Sequence, residues 1–186
     1  MYGLVNKAIE GLVRSNHGDA AWQQIVQAAG LELSGFVSLE SYDDEVTYKL
    51  VDAASEVLGA SAEAILEGFG EYWITYTADE GYGQLLERSG ETIEEFLENL
   101  DQLHTRVGLT MPHLRPPTIH SDVLDDGTIR LEYYSEREGL APMVVGLMRG
   151  LARRFGQTAE VNWDERRAEN GSCDVFLVRL SKTHVA

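Results

Sequence analysis

The chain has one cysteine, Cys173, in 186 residues. A lone thiol can form neither an internal disulfide nor a cysteine-rich zinc site, and it fits a reducing compartment. Basic residues are also scarce: 15 lysines and arginines stand against 31 aspartates and glutamates, a formal net charge of −16. No run of them forms a phosphate-binding stripe, which argues against nucleic acid and anionic membrane surfaces as partners. No apolar run approaches the roughly 18 to 20 residues that span a bilayer. The opening Met1-Tyr2-Gly3-Leu4-Val5-Asn6-Lys7 lacks the basic flank, apolar core and cleavage site of a secretory signal, so a cytoplasmic location is expected. Without secretion, Asn170-Gly171-Ser172 reads as a hairpin turn and not as a glycosylation site, and Cys173 as a half-buried strand residue.

What is present suits one compact domain or two small subdomains sharing an interface. Leu4, Val5, Ala8, Ile9, Leu12 and Val13 recur at helical spacing, as do Trp22, Ile25, Val26 and Ala29 before Gly30. A third helix runs from Val46 to Leu58 and stops at Gly59, and Ser61 caps a fourth through Ile65, Leu66, Phe69 and Trp73. Gly68 and Gly70 inside it each cost about 1 kcal/mol relative to alanine, which points to close packing or a hinge. A short helix around Gln84 to Arg88 precedes one opening with the capping box Thr92-Ile93-Glu94-Glu95. Its buried stripe, Phe96, Leu97, Leu100, Leu103, His104 and Val107, turns His104 inward. Leu114-Arg115-Pro116-Pro117 ends helical structure. Thr118 to Leu124 and Thr128 to Ser135 then read as strands around the turn Asp125-Asp126-Gly127. A helix from Leu140 to Phe155 and strands from Ala159 to Trp163 and Asp174 to Leu180 complete an α+β fold with a four-stranded antiparallel sheet.

Two features carry chemistry. His104 is a single imidazole on an apolar face, with neither an HExxH pattern nor a carboxylate and cysteine cluster beside it. The other histidines, His17, His113, His120 and His184, lie near turns or termini. Haem needs one protein ligand whereas zinc needs three or four, so this imidazole suits haem. Tyr133, Ser135 and Arg137 alternate to one side of a strand and offer two hydroxyls and a guanidinium, a set that matches carboxylates. Each feature also has an ordinary reading, as a hydrogen-bonded core histidine and as a strand face with a surface arginine.

Taken with Met1-Tyr2-Gly3, Gly70-Glu71-Tyr72-Trp73, Arg115-Pro116-Pro117 and Gly139-Leu140-Ala141-Pro142-Met143, these motifs resemble the H-NOX family, the haem nitric oxide/oxygen binding domains of bacterial gas sensors and soluble guanylate cyclase. The similarity spans essentially the whole chain and looks cyanobacterial in type. It implies a single haem domain, with a distal helical part over about residues 1–60, a proximal α+β part over about 61–186, and haem b (iron protoporphyrin IX) between them. It implies that His104 is the iron ligand and that Tyr133, Ser135 and Arg137 hold the propionates. Pro117 would press on the porphyrin, Ile119, Leu147 and Leu151 would line the pocket, and Val5 would touch the macrocycle.

Oxygen-binding members use a distal tyrosine, and the aligned residue here is Met143, which has no such donor. Trp73 aligns with a residue that supports that tyrosine, and it reads either as a bulky lid or as an indole donor. The expectation is therefore binding of NO and CO with little stable O2 binding. By the same resemblance NO weakens or breaks the His104–iron bond. The change then passes to a separate signalling protein, a histidine kinase or a cyclic-dinucleotide enzyme, since no output domain is recognisable. Two alternatives stay open: a haem enzyme of the peroxidase or NO-detoxifying kind, and a non-haem module clamping another carboxylate ligand. A peroxidase would need a distal acid-base pair that the sequence does not display. The zinc site of some family members is disfavoured by the single cysteine.

Overall fold

The computed structural model describes residues 1–32 and 35–182. The first two helical patterns form one long element, α1 (Gly3–Ala28), in place of two separated helices. They meet end to end at Gly18, whose φ of 81° and ψ of 173° break the helical path. Helix α2 (Asp44–Leu58) starts where the Asp43 side chain accepts from the Glu45 amide and ends at Gly59 in the left-handed conformation. Both devices follow from elementary capping chemistry. Helix α3 (Ala62–Thr77) is capped by Ser61, as its sequence predicts. It runs into a π-helical turn, Ala78–Tyr82, and a short helix α4 (Gly83–Glu87).

The capping box departs from expectation in two respects. Thr92 accepts from the Glu95 amide, but the Glu95 carboxylate reaches back to the Glu91 amide, at 2.9 Å, and not to that of Thr92. The helix it opens is also shorter than its apolar stripe implies. Helix α5 (Ile93–Glu98) stops at Asn99, whose φ of −92° and ψ of 1° are not helical, and α6 (Leu100–Gly108) follows as a separate element. Asn99 secures the break by donating its side-chain amide to the carbonyls of Ser89 and Glu95. Sequence periodicity passes through such a kink because the apolar stripe continues on both sides of it.

Strands β1 (Thr118–Val123), β2 (Ile129–Tyr134), β3 (Gln157–Glu165) and β4 (Asp174–Lys182) form one antiparallel sheet in the order β1-β2-β4-β3. Gly127, at φ 80°, makes the β1–β2 turn. Between β3 and β4 the chain takes a helical turn, α8 (Arg167–Asn170), before Gly171, so this connection is longer than a tight hairpin. Cys173 is buried and lies immediately before β4, not half-buried within it. Helix α7 (Pro142–Arg154) covers one sheet face, where Val144, Met148 and Leu151 meet Leu131, Phe176 and Val178. A second core joins α1 and α2 to α3 through Ile9, Ile25, Leu50, Leu66 and Phe69, so α3, which begins after the expected division near residue 60, packs into the N-terminal core.

Helices α3 and α7 approach almost backbone to backbone. A Cβ added to Gly146 would overlap the Glu67 carbonyl oxygen and lie 2.7 Å from the Glu71 amide nitrogen. One added to Gly70 would meet the Met143 carbonyl, and one at Gly150 would lie 2.8 Å from the Glu71 carbonyl. Gly70 is thus a packing residue. Gly68 has open space around its Cα and takes no part in the seam. Arg149 closes the seam on Glu67 at 2.7 Å, and Arg153 pairs with Glu71.

Candidate functional site

Between the two cores lies an apolar cavity of about 290 Å³. Helix α3 contributes Leu66, Phe69 and Trp73, α7 contributes Met143, Leu147 and Leu151, and α1 contributes Val5 and Ile9. Helix α6 brings His104, and the β1–β2 hairpin with its flanks brings Pro117, Ile119, Tyr133, Ser135 and Arg137. All eleven residues singled out from the sequence border this one space: His104, Tyr133, Ser135, Arg137, Pro117, Val5, Trp73, Ile119, Met143, Leu147 and Leu151. The sheet register accounts for part of it, since Ile119 pairs directly with Tyr133 across β1 and β2.

His104 is half-buried, and its Nδ1 is fully buried with no hydrogen-bond partner among the described residues. Burial lowers its pKa below the ordinary 6.5, and the charge of Asp101 only partly opposes this. The imidazole is therefore neutral at neutral pH, the form that binds iron. The core-histidine reading calls for a hydrogen-bonded ring, and no described residue bonds to Nδ1.

Arg137, on the same cavity wall, is paired with a carboxylate of the protein itself. Arg137 donates from Nε to Asp44 Oδ2 at 2.7 Å and from a terminal nitrogen to the Arg115 carbonyl at 2.7 Å. Asp44 also receives the Met1 ammonium, which donates to the Tyr42 carbonyl at 2.7 Å as well. Burial pushes the Asp44 carboxyl up, but hydrogen bonds from the ammonium and from Arg137 outweigh it and hold the group below its usual range. The Ser135 hydroxyl oxygen accepts from the Arg137 amide at 3.1 Å, while burial raises the Tyr133 phenol. Arg137 is thus held in a carboxylate-binding pose from α2, 93 residues away in sequence.

The wall has few uncommitted donors. The Thr47 hydroxyl donates to Asn6 Oδ1 at 2.7 Å and the Thr77 hydroxyl to the Trp73 carbonyl at 2.7 Å, so both protons are already committed. Trp73 is half-buried against Phe69 and Tyr76, with ring centroids 5.8 and 6.4 Å apart. Tyr82 lines the cavity from the π-helical turn.

Sequence reasoning missed Asp44, which anchors Arg137 from behind the cavity wall, and the wall residue His113. Asp44 was invisible because its partners lie at Met1 and Arg137, beyond any local spacing rule. His113, set aside as a turn residue, is exposed but borders the same cavity, and its backbone amide donates to the Tyr2 hydroxyl at 2.9 Å. His17 and His120 are exposed, and His184 lies outside the described residues. No group of three or more metal-binding side chains occurs among the described residues.

A family model described as Haem-NO-binding matches residues 2–163. The chain is 34% identical over 181 residues to soluble guanylate cyclase gcy-35 of Caenorhabditis elegans, covering 95% of this chain and 26% of that protein. It is 34% identical over 128 residues to guanylate cyclase soluble subunit beta-2 of Rattus norvegicus, covering 66% of this chain and 19% of that one. The chain spans about a quarter of the length of the curated relatives it matches. An H-NOX protein from S. oneidensis, solved in its Fe(II)NO ligation state, superimposes with a TM-score of 0.87 at 19% identity, covering 98% of this chain and 100% of that one. An oxygen-binding H-NOX domain related to soluble guanylate cyclases, solved as its oxygen complex, gives 0.78 at 20% identity, over 98% and 96%. At these identities the solved structures speak to the fold alone.

Proposed function

Because this chain belongs to the haem-NO-binding (H-NOX) family of haem-based gas sensors, we propose that it holds haem b between His104 and the Tyr133, Ser135 and Arg137 clamp and reports NO or CO. The observation that carries this reading is that a half-buried, neutral imidazole and the Tyr133, Ser135 and Arg137 set line one apolar cavity, with no described residue satisfying the imidazole's buried Nδ1. Haem, when bound, supplies the ferrous iron that takes up the diatomic gas.

His104 would ligate the iron, and Arg137, Tyr133 and Ser135 would receive the propionates. Metal-bound histidines ordinarily donate their second nitrogen to a carbonyl or carboxylate, which strengthens the ligand. Nδ1 of His104 lacks that support. A weak ligand is one that NO can displace, and displacement would free α6 from the cavity. The helix and its surroundings then act as a two-state element biased by the gas and read by a signalling partner such as a histidine kinase or a cyclic-dinucleotide enzyme. This is a sensing role and not a turnover role.

Elsewhere on the cavity wall Met143 offers no proton, and the hydroxyls of Thr47 and Thr77 are committed to protein acceptors. A polar O2 ligand would therefore gain little, whereas NO and CO depend less on a hydrogen bond. Anaerobic exposure of the purified ferrous protein to each gas, followed by visible spectroscopy, is expected to show firm NO and CO uptake and no stable O2 uptake. Met143→Tyr should raise O2 affinity by about tenfold, the worth of one good hydrogen bond. A colourless protein that cannot take up haem would sink the sensor reading altogether. Stable O2 uptake by the wild type would sink the selectivity and make Trp73 and Tyr82 the donors to replace.

A further inference from the structure

Most lysines and arginines of this acidic chain sit against a carboxylate, as Arg137, Arg149 and Arg167 do. Arg88 and Arg106 are among those that do not. Both are exposed, and neither forms an ion pair or a hydrogen bond among the described residues, although Glu87 adjoins one in sequence and Asp101 lies five residues before the other. They border the same surface cleft, completed by Gly81, Gln84 and Leu85. Arg88 closes α4 and Arg106 belongs to α6, so the two guanidinium groups reach the cleft from different helices. Leu85 lines this cleft on one side and the large apolar cavity on the other.

Two like charges sharing a cleft repel each other unless an anion lies between them. Guanidinium groups present paired N–H donors to oxyanions, and a phosphate has enough oxygens to accept from both. The net charge of −16 opposes the approach of any anion. That field is screened beyond about 8 Å at physiological ionic strength, so the local pair decides what binds once an anion is close. We propose that the cleft between α4 and α6 binds a small phosphate-class anion through Arg88 and Arg106, and that the bound anion restrains the helix carrying His104.

Arg106 follows His104 by two residues, which places the two side chains on different sides of α6, one toward the cleft and one lining the cavity. An anion held from α4 therefore ties down the outer side of the helix whose inner side holds His104. Movement of α6 away from α4 on release of His104 would separate Arg106 from Arg88 and weaken the anion site. By reciprocity the anion would then oppose release. This regulatory half rests on the haem reading above, whereas the binding half does not.

The test is a calorimetric titration of inorganic phosphate and of pyrophosphate at constant ionic strength, with chloride as control. It is run on the haem-loaded ferrous protein with and without NO, and on the haem-free protein. Saturable binding is expected, weakened about tenfold or more by Arg88→Gln with Arg106→Gln, each of which removes a charged hydrogen-bonding group. Affinity is expected to fall about fivefold or more when NO is present. No saturable binding, or binding untouched by the double substitution, overturns the site. Equal affinity with and without NO overturns the coupling. A protein that takes up no haem but still binds phosphate through the two arginines would refute the sensor reading and leave the anion site standing.

Discussion

Replacing His104 with glycine is expected to give a folded protein that is purified without haem and regains it when free imidazole is supplied. Loss of an outer-shell partner of a metal ligand typically costs about 10–100-fold in affinity, and loss of the ligand itself should exceed that. Glycine inside α6 adds about 1 kcal/mol of helix destabilisation, which the rest of the fold should absorb. The readout is the ratio of haem to protein absorbance, with circular dichroism to confirm folding. His113→Gly is the matching control, because that imidazole borders the same cavity from an exposed position and should be dispensable for haem retention. Full haem occupancy in His104→Gly without imidazole, or equal losses in the two variants, would remove His104 from its assigned place.

Gly146→Ala should be among the most damaging small substitutions in the chain, with a loss at or above the upper end of the about 1–3 kcal/mol usual for overpacking. The new Cβ would overlap the Glu67 carbonyl, a backbone atom that cannot move aside as a flexible side chain could. For a domain of this size each kcal/mol lowers the melting temperature by about 2–4 °C, so a fall of roughly 6–12 °C is expected in thermal unfolding. Gly68→Ala should do the reverse. Nothing lies within 4 Å of its added Cβ, and alanine gains up to about 1 kcal/mol of helix propensity. Since α3 carries Trp73 and α7 carries Met143, opening this seam would also widen the cavity between them. A melting temperature unchanged by Gly146→Ala would mean the seam can relax and does not fix the gap.

Local chemistry was well legible in the sequence. Ser61, Thr92, Gly59 and Gly127 act where their side chains or backbone freedom predict, because caps and turns depend on a few neighbouring residues. The four strands and their antiparallel arrangement followed from alternation and from the turn before Gly127. The seam of Gly70, Gly146 and Gly150 was only half visible: two glycines in α3 hinted at close packing, but which of them met a partner depends on the crossing of two helices whose paired residues lie 82 apart in sequence. The break at Asn99 was hidden for the opposite reason. Its side chain donates to the carbonyls of Ser89 and Glu95, both before it in the chain, and an apolar stripe does not register one residue that leaves helical geometry. Asp44 shows the limit most clearly, since its worth lies wholly in the distant Met1 and Arg137.

That break at Asn99 also changes what kind of mechanical part α6 is. At nine residues it falls below the about 12–15 at which an isolated helix begins to hold together in water, and α5 does not continue into it. Its order is borrowed from the contacts that Leu103, His104 and Val107 make with their surroundings. Cutting one of those contacts would act less like turning a lever than like loosening a tether on a segment close to its own melting point. The signal would then travel as a change in local order, carried by a stretch of backbone that is helical only while it is held.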